Sequence, residues 1–241
     1  MRLFTLPCLF TSCNLFCGFI SIFFIFTEKY SAAAWLIVIA IAFDIMDGRV
    51  ARLTRSSSKF GAELDSLADL VSFGVTPAIL YFFVFLEGNT RYGIFIAFLF
   101  VLAGALRLAR FNVEEHLSEF SGLPIPGAAF MVASLVIYGE TFPVGILRIP
   151  DEIYPALLFL LAILMVSKLS FPSAKKPQAK TEKRRVKLIL SLLLLLALLT
   201  EPAITFPILG LTYMLSGPVL HITALLARKS RRIKEHAEPL N

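Results

Sequence analysis

Charged residues are scarce in this chain. Only 17% of its 241 residues are Asp, Glu, Lys or Arg, whereas 57% are hydrophobic, and the mean hydropathy is +0.79. A soluble domain carries about 25% charged residues, so the composition argues against a soluble globular protein. Apolar runs of about 17 to 25 residues, the length that crosses a hydrocarbon core, recur along the chain. The sequence therefore predicts an all-α, polytopic transmembrane helical bundle.

Cysteine and histidine are also rare, with three residues of each. Cys8, Cys13 and Cys17 lie in or near the first apolar run, without a histidine close by. They provide neither an even, spaced disulfide set nor the four ligands of a structural zinc site, so we interpret them as small packing residues. The first apolar run has no A-x-A-like cleavage site and further runs follow it directly, which argues against a signal peptide.

The apolar windows predict about eight membrane spans. They lie at roughly 9–27, 31–46, 70–86, 92–110, 125–142, 153–168, 187–200 and 203–226. Turns are predicted at residues 87–91 and at Glu201-Pro202, because proline favours a helix start. If both termini are cytoplasmic, all but three of the 23 Lys and Arg residues lie inside, as the positive-inside rule favours. The predicted topology is N-in and C-in, with residues 47–69 in a cytoplasmic loop.

Two basic segments, 175–187 and 228–234, supply much of the net charge of +6. A Lys/Arg cluster beside a cytoplasmic membrane face suits anionic lipid headgroups better than nucleic acid. Membrane lipid is therefore an expected partner and nucleic acid is not.

Five acidic and four basic residues concentrate in residues 44–69 of this otherwise apolar chain. Asp44 and Asp47 are three residues apart near the end of the second span. Asp65 and Asp69 are four apart near the start of the third, so each pair shares one helix face. Carboxylates at a membrane edge are costly and indicate function by default, and four together cannot all stay ionised without cations among them.

Two hard divalent cations fit these four carboxylates better than a salt-bridged loop does, because a salt-bridged loop would not require the helical phasing. Mg²⁺ in such sites completes its shell with substrate phosphates. Arg52 and Ser58 then suit pyrophosphate or nucleotide binding. Gly48 and Ala51 are small where a ligand or a helix must come close.

A second polar group lies at the end of the fourth span. Arg107 and Arg110 are one turn apart there, and Asn112 follows. A guanidinium is a good partner for a substrate carboxylate or phosphate, although positive-inside anchoring explains each arginine equally well. These three residues are candidate acceptor ligands.

The stretch DxxDGxxAR (44–52), followed after eight residues by GxxxDxxxD (61–69), resembles the complete signature of the CDP-alcohol phosphotransferases. The resemblance implies two divalent cations, Mg²⁺ or Mn²⁺, held by the four aspartates, with Asp69 also taking the proton of the incoming alcohol. It implies that the CDP part of a CDP-linked lipid is held by Gly48, Arg52 and Ser58. The alcohol would attack the β-phosphorus and release CMP.

Further segments are similar to the bacterial and archaeal phosphatidylserine synthases of this family: 11–19, 106–113, 120–129 and 167–173. This similarity implies CDP-diacylglycerol and L-serine as substrates, a homodimer, and a prokaryotic cell membrane with the site at its cytoplasmic face. Charge alone does not separate serine from glycerol 3-phosphate or inositol phosphate. Synthases of phosphatidylglycerophosphate, of phosphatidylinositol phosphate and of archaetidylserine therefore stay open.

The predicted organisation has four parts. They are a six-span membrane core at 1–175, a basic cytoplasmic loop at 176–186, two additional transmembrane helices at 187–227 and a basic cytoplasmic tail at 228–241. Membrane prenyltransferases carry two Asp-rich motifs far apart in sequence, and a cation transporter would place acids near the bilayer midplane. Acids confined to 44–69 at one cytoplasmic edge argue against both.

Overall fold

A computed structural model of the chain describes residues 6–54, 58–113, 122–142, 150, 153–169, 171 and 196–237. All regular structure in these ranges is helical, which confirms the predicted all-α class. The helices are α1 (Leu6–Phe26), α2 (Tyr30–Thr54), α3 (Lys59–Leu86), α4 (Thr90–Val113), α5 (Ile125–Thr141), α6 (Ile153–Val166) and α7 (Pro202–Ala237). The predicted turns are confirmed, since a short 3₁₀ turn at Glu87–Asn89 joins α3 to α4 and α7 begins at Pro202.

Five helices in the described ranges are long and apolar enough to cross a membrane: α1, α2, α3, α4 and the first part of α7. The apolar helices α5 and α6 are shorter, with 17 and 14 residues. Most of the predicted seventh span and the basic segment 175–187 lie outside the described residues. The chain thus has the helices of a polytopic membrane protein, with five candidate spans.

The predicted loop 47–69 is wrong in extent. Helix α2 continues to Thr54, and α3 begins at Lys59, where the Ser58 hydroxyl caps it by accepting a hydrogen bond of 3.0 Å from the Gly61 N–H. A hydropathy window marks the apolar part of a helix, whereas a polar stretch without proline continues the same helix into its charged end. All four aspartates lie on two helices, as their spacing predicts, and the connection between them is shorter than expected.

Helices α1 and α3 cross at very short range through Gly18. A Cβ placed on Gly18 would lie 2.4 Å from the Ser72 Oγ and 2.8 Å from the Ser72 Cα. The hydroxyls of α3 bond to the backbone of α1, since Ser72 donates to the Asn14 carbonyl at 3.0 Å and Thr76 to the Gly18 carbonyl at 3.2 Å. Small residues allow such close approach between membrane helices, and the crossing holds α1 against the aspartates of α3.

The hydrogen-bond ladder of α3 changes immediately after Asp69. Residues Leu70–Val75 are π-helical, and the Thr76 hydroxyl donates to the Val71 carbonyl at 2.8 Å. π-helical turns inside α-helices are frequent at functional sites. Here the change separates the turn that carries Asp65 and Asp69 from the part of α3 that packs in the core.

Helix α5 is the central helix of the bundle. Ten of its 17 residues are buried, and it packs against α2, α3 and α7. A helix that is apolar all round is expected in a protein core. It begins directly after Pro124, as the prolines of GLPIPG predict. Gly122, just ahead of α5, has a φ of +89° and donates its N–H to the Leu169 carbonyl at 2.8 Å. This hydrogen bond holds the segment that leads into α5 against the residues that follow α6.

The α1–α3 crossing makes a prediction for Gly18→Ala. Because the added methyl group would overlap the Ser72 backbone, we expect a loss of about 1–3 kcal/mol of stability and a fall of several degrees in Tm. The measurement is thermal unfolding of the purified protein in detergent. Gly139→Ala is the matched control, since a Cβ there meets nothing within 4 Å. Equal Tm values for the two variants would contradict the close crossing.

Candidate active site

Three carboxylates from two helices converge at one point. Asp44 and Asp47 of α2 and Asp65 of α3 each offer an oxygen, and these oxygens lie within 4.8 Å of one another. Asp47 is only 5% exposed, and the Asp65 Oδ1 is buried without a hydrogen-bond partner among the described residues. Carboxylates this close repel one another unless a cation lies among them. A set of hard oxygen donors with an unsatisfied buried oxygen fits a divalent cation such as Mg²⁺ or Mn²⁺.

Asp69 lies one turn beyond Asp65 on the same helix and is only 8% exposed. It stands outside the cluster of three but is close enough to interact electrostatically with all of them. Its Oδ1 accepts a hydrogen bond of 3.1 Å from the Asn14 amide of α1. One Asp69 oxygen is thus held by the protein, which leaves the other for a different partner.

Helix α1 supplies two residues that the sequence analysis did not assign to the site. The Thr11 hydroxyl donates to the Asp47 Oδ2 at 3.1 Å, and Asn14, which is completely buried, binds Asp69. The Asn14 Oδ1 has no partner among the described residues. The available signal was two polar side chains three residues apart on one face of an apolar helix. Partners of this kind orient metal-binding carboxylates from behind.

A cavity of about 150 Å³ opens beside the carboxylates, between the N-terminal turns of α1 and α3 and the polar end of α2. It is lined by Pro7, Cys8, Thr11, Asp47, Gly48, Ala51, Ser58, Gly61, Ala62 and Asp65. The structure therefore brings the predicted ligands Gly48 and Ser58 to one cavity with two of the aspartates.

The residues around this cavity suit a phosphate group. The Ser58 oxygen accepts from the Gly61 N–H, so its own O–H remains able to donate to a ligand. A Cβ on Gly48 would lie 3.7 Å from the Arg52 Nη1, which shows that the guanidinium lies close to the Gly48 backbone at the cavity wall. A hydroxyl, a guanidinium and nearby carboxylates are the groups that suit a phosphate ester and its counterions.

The predicted acceptor ligands at the end of α4 have different surroundings. The Arg107 Nε is buried without a hydrogen-bond partner among the described residues, and the side chain is close enough to interact electrostatically with Asp69. Asn112 instead bonds to α3, since its amide donates to Ser66 at 3.1 Å and to Glu63 at 3.4 Å. Arg110 is half-buried one turn beyond Arg107. Arg107 thus has a buried Nε with unused hydrogen-bonding capacity and lies within electrostatic range of Asp69.

The carboxylate cluster makes a prediction for metal binding. Asp65→Asn should weaken Mn²⁺ binding by more than 100-fold, because it removes a ligand, whereas Thr11→Val should weaken it about 10-fold by freeing Asp47 to rotate. Free Mn²⁺ is measured by electron paramagnetic resonance during titration of the purified protein. Glu63→Gln changes an exposed carboxylate of the same helix and should bind Mn²⁺ normally. Unchanged affinity in Asp65→Asn would contradict the proposed cation site.

Most of this chain is similar in sequence to known proteins. The family model described as CDP-alcohol phosphatidyltransferase matches residues 4–167, which include all four aspartates. The CDP-diacylglycerol–serine O-phosphatidyltransferase of Helicobacter pylori is 38% identical over 199 residues, 81% of either chain. The Bacillus subtilis protein of the same name is 37% identical over 180 residues, 73% of this chain and 94% of the relative.

An archaetidylserine synthase of Methanothermobacter thermautotrophicus is 36% identical over 181 residues, 73% of either chain. The family match runs from the start of α1 to the end of α6 and so contains the whole carboxylate site. On the length of the family match and the identity to these relatives, this chain belongs to the CDP-alcohol phosphatidyltransferase family.

Proposed function

We propose that this protein transfers the phosphatidyl group from CDP-diacylglycerol to L-serine, giving phosphatidylserine and CMP. The observation that carries the proposal is the arrangement around Asp69. A cavity with metal-binding carboxylates and phosphate-binding groups adjoins one side of the cluster, and the guanidinium of Arg107 lies beside Asp69. The names of the H. pylori and B. subtilis relatives support CDP-diacylglycerol as donor and serine as acceptor.

The donor's pyrophosphate binds in the cavity at the α2–α3 junction. Ser58 donates its hydroxyl, Arg52 supplies a guanidinium, and Gly48 lets the phosphate approach the α2 backbone. Asp44, Asp47, Asp65 and Asp69 hold two divalent cations, Mg²⁺ or Mn²⁺. When bound, such ions neutralise phosphate charge and stabilise the attacking and leaving oxygens of an in-line displacement.

Asp69 is the general base for the acceptor. The serine hydroxyl oxygen forms a bond to the β-phosphorus, the bond from that phosphorus to the oxygen of CMP breaks, and the hydroxyl proton passes to Asp69. Asn14 holds one Asp69 oxygen at 3.1 Å, so the side chain keeps one orientation while the other oxygen receives the proton. Phosphoryl transfer requires mainly positioning and charge neutralisation, which these residues provide.

Arg107 binds the carboxylate of serine. A buried guanidinium Nε without a hydrogen-bond partner has lost its contact with water, which costs free energy. A substrate carboxylate that binds there would offset this cost. Archaetidylserine synthesis is the second candidate, because one relative carries that name and the acceptor chemistry is the same. The two candidates differ only in whether the donor lipid is an ester or an ether.

We further propose eight membrane spans with both termini in the cytoplasm, because the Lys and Arg distribution follows the positive-inside rule. The six-span core at 1–175 carries the chemistry at the cytoplasmic face of the cell membrane, where a lipid donor and a water-soluble acceptor both arrive. The basic segments 176–186 and 228–241 contact anionic lipid, and residues 187–227 add two helices. A homodimer is the proposed assembly, by resemblance to the family.

The acceptor is tested directly with purified protein in detergent micelles. CDP-diacylglycerol is incubated with L-serine, glycerol 3-phosphate or inositol 1-phosphate in separate reactions, and CMP release is measured. We expect release with serine alone, its loss in EDTA and its return on adding Mn²⁺. An ether-linked CDP donor distinguishes archaetidylserine synthesis. CMP release with glycerol 3-phosphate and none with serine would overturn the proposal.

The base is tested with Asp69→Asn. This variant keeps an oxygen that can accept from Asn14 but cannot take a proton, so we expect kcat to fall by about 10²–10⁴-fold. Binding of CDP-diacylglycerol, measured by equilibrium competition at saturating Mn²⁺, should change little, because the other three aspartates still bind the metal. Glu63→Gln serves as the control for a carboxylate-to-amide change on the same helix. A near-normal kcat in Asp69→Asn would refute the assignment.

A further inference from the structure

Helix α7 lies beyond the residues 4–167 that match the family, yet it packs within the same bundle. It packs on α5, and its Tyr213 lies against the first turn of that helix. A Cβ placed on Gly127 would be only 2.9 Å from the Tyr213 Cε1, so a glycine is needed for the ring to lie there. The Phe171 ring also packs beside the Tyr213 ring, with the two ring centroids 5.9 Å apart.

Helix α4 approaches the same turn of α5 from another side. A Cβ placed on Gly104 would lie 2.6 Å from the Cδ1 of Ile125, which is two residues before Gly127. Arg107 is one turn beyond Gly104 and therefore on the same face of α4. Ile125 and Gly127 belong to the same first turn of α5, so Gly104 of α4 and Tyr213 of α7 both border that turn.

The side chains of Arg107 and Tyr213 are close enough to interact electrostatically, as are those of Arg107 and Asp69. Arg107 therefore lies within range of both the catalytic carboxylate and the α7 tyrosine. The buried Arg107 Nε has no partner among the described residues, so this polar region has hydrogen-bonding capacity that the described part of the chain does not use. An unsatisfied buried donor in a polar region points to a ligand.

We infer that Tyr213 is a second binding residue for the acceptor, completing from α7 the site that Arg107 begins on α4. The ligand is a small amino acid, whose carboxylate is bound by Arg107 and also accepts a hydrogen bond from the Tyr213 hydroxyl. This inference rests on the proposed function. It assigns to the C-terminal helix a part in substrate binding.

The test compares Tyr213→Phe with wild type in full-length purified protein. The variant keeps the ring that packs on Gly127 and Phe171 and removes only the hydroxyl. We expect the KM for serine to rise roughly three- to tenfold, the value of one hydrogen bond, with kcat and the KM for CDP-diacylglycerol within about twofold of wild type. Tyr138→Phe is the matched control, because it makes the same change near the far end of α5, and it should leave every constant unchanged.

A double variant separates binding from packing. If both residues contact one ligand, Tyr213→Phe should raise the serine KM less in an Arg107→Lys background than in wild type. An unchanged serine KM in Tyr213→Phe, or an equal rise in both KM values, would overturn the inference. If wild-type protein uses another acceptor and not serine, the proposed function fails. The KM of Tyr213→Phe for that other acceptor then tests Tyr213 separately, because an unchanged KM rejects a part in acceptor binding.

Discussion

The meeting of four carboxylates, two of them buried and two partly buried, at one junction of three helices is the constraint on which the rest of the structure depends. Like charges in a medium of low dielectric constant repel strongly, and a buried ionised carboxylate needs hydrogen bonds or cations. The protein supplies two of these hydrogen bonds from α1, where Thr11 binds Asp47 and Asn14 binds Asp69. It leaves the Asp65 Oδ1 unsatisfied among the described residues. What remains unsatisfied is what a divalent cation would bind.

This arrangement requires α1 to lie very close to α3, and the sequence of both helices provides for it. Gly18 removes the side chain at the crossing, and Ser72 and Thr76 use the short distance to bond the α1 backbone. The same crossing fixes the position of α1 along its axis, and so determines where Thr11 and Asn14 contact the aspartates. A residue with a side chain at position 18 would therefore disturb both the packing and the carboxylates, although it lies about two turns from Thr11 along α1. The crossing of α1 and α3 at Gly18 therefore contributes both to the stability of the bundle and to the positions of the carboxylates.

Much of the site could be predicted from the sequence, because the spacing of the aspartates follows the helical repeat. Asp44 with Asp47, and Asp65 with Asp69, were expected on single helix faces, and three of the four carboxylates meet in the structure. The ends of α2 and α3 could not be predicted from hydropathy, since charged turns continue both helices without an apolar signal. Thr11 and Asn14 could not be assigned either. Their roles depend on how two helices cross, which local sequence does not encode.

The cavity side and the Arg107 side of the site are built from different parts of the chain. The cavity side is formed by α1, α2 and the start of α3, within a short and tightly connected part of the chain. The Arg107 side depends on the end of α4, the first turn of α5 and the tyrosine of α7, which come from distant parts of the chain and meet only through tertiary packing. If Arg107 and Tyr213 bind the acceptor as proposed, substitutions around the first turn of α5 would alter acceptor binding while the carboxylates stay in place. Gly127 is the key position in this respect, because any side chain there would displace Tyr213 and reshape the acceptor side without touching an aspartate.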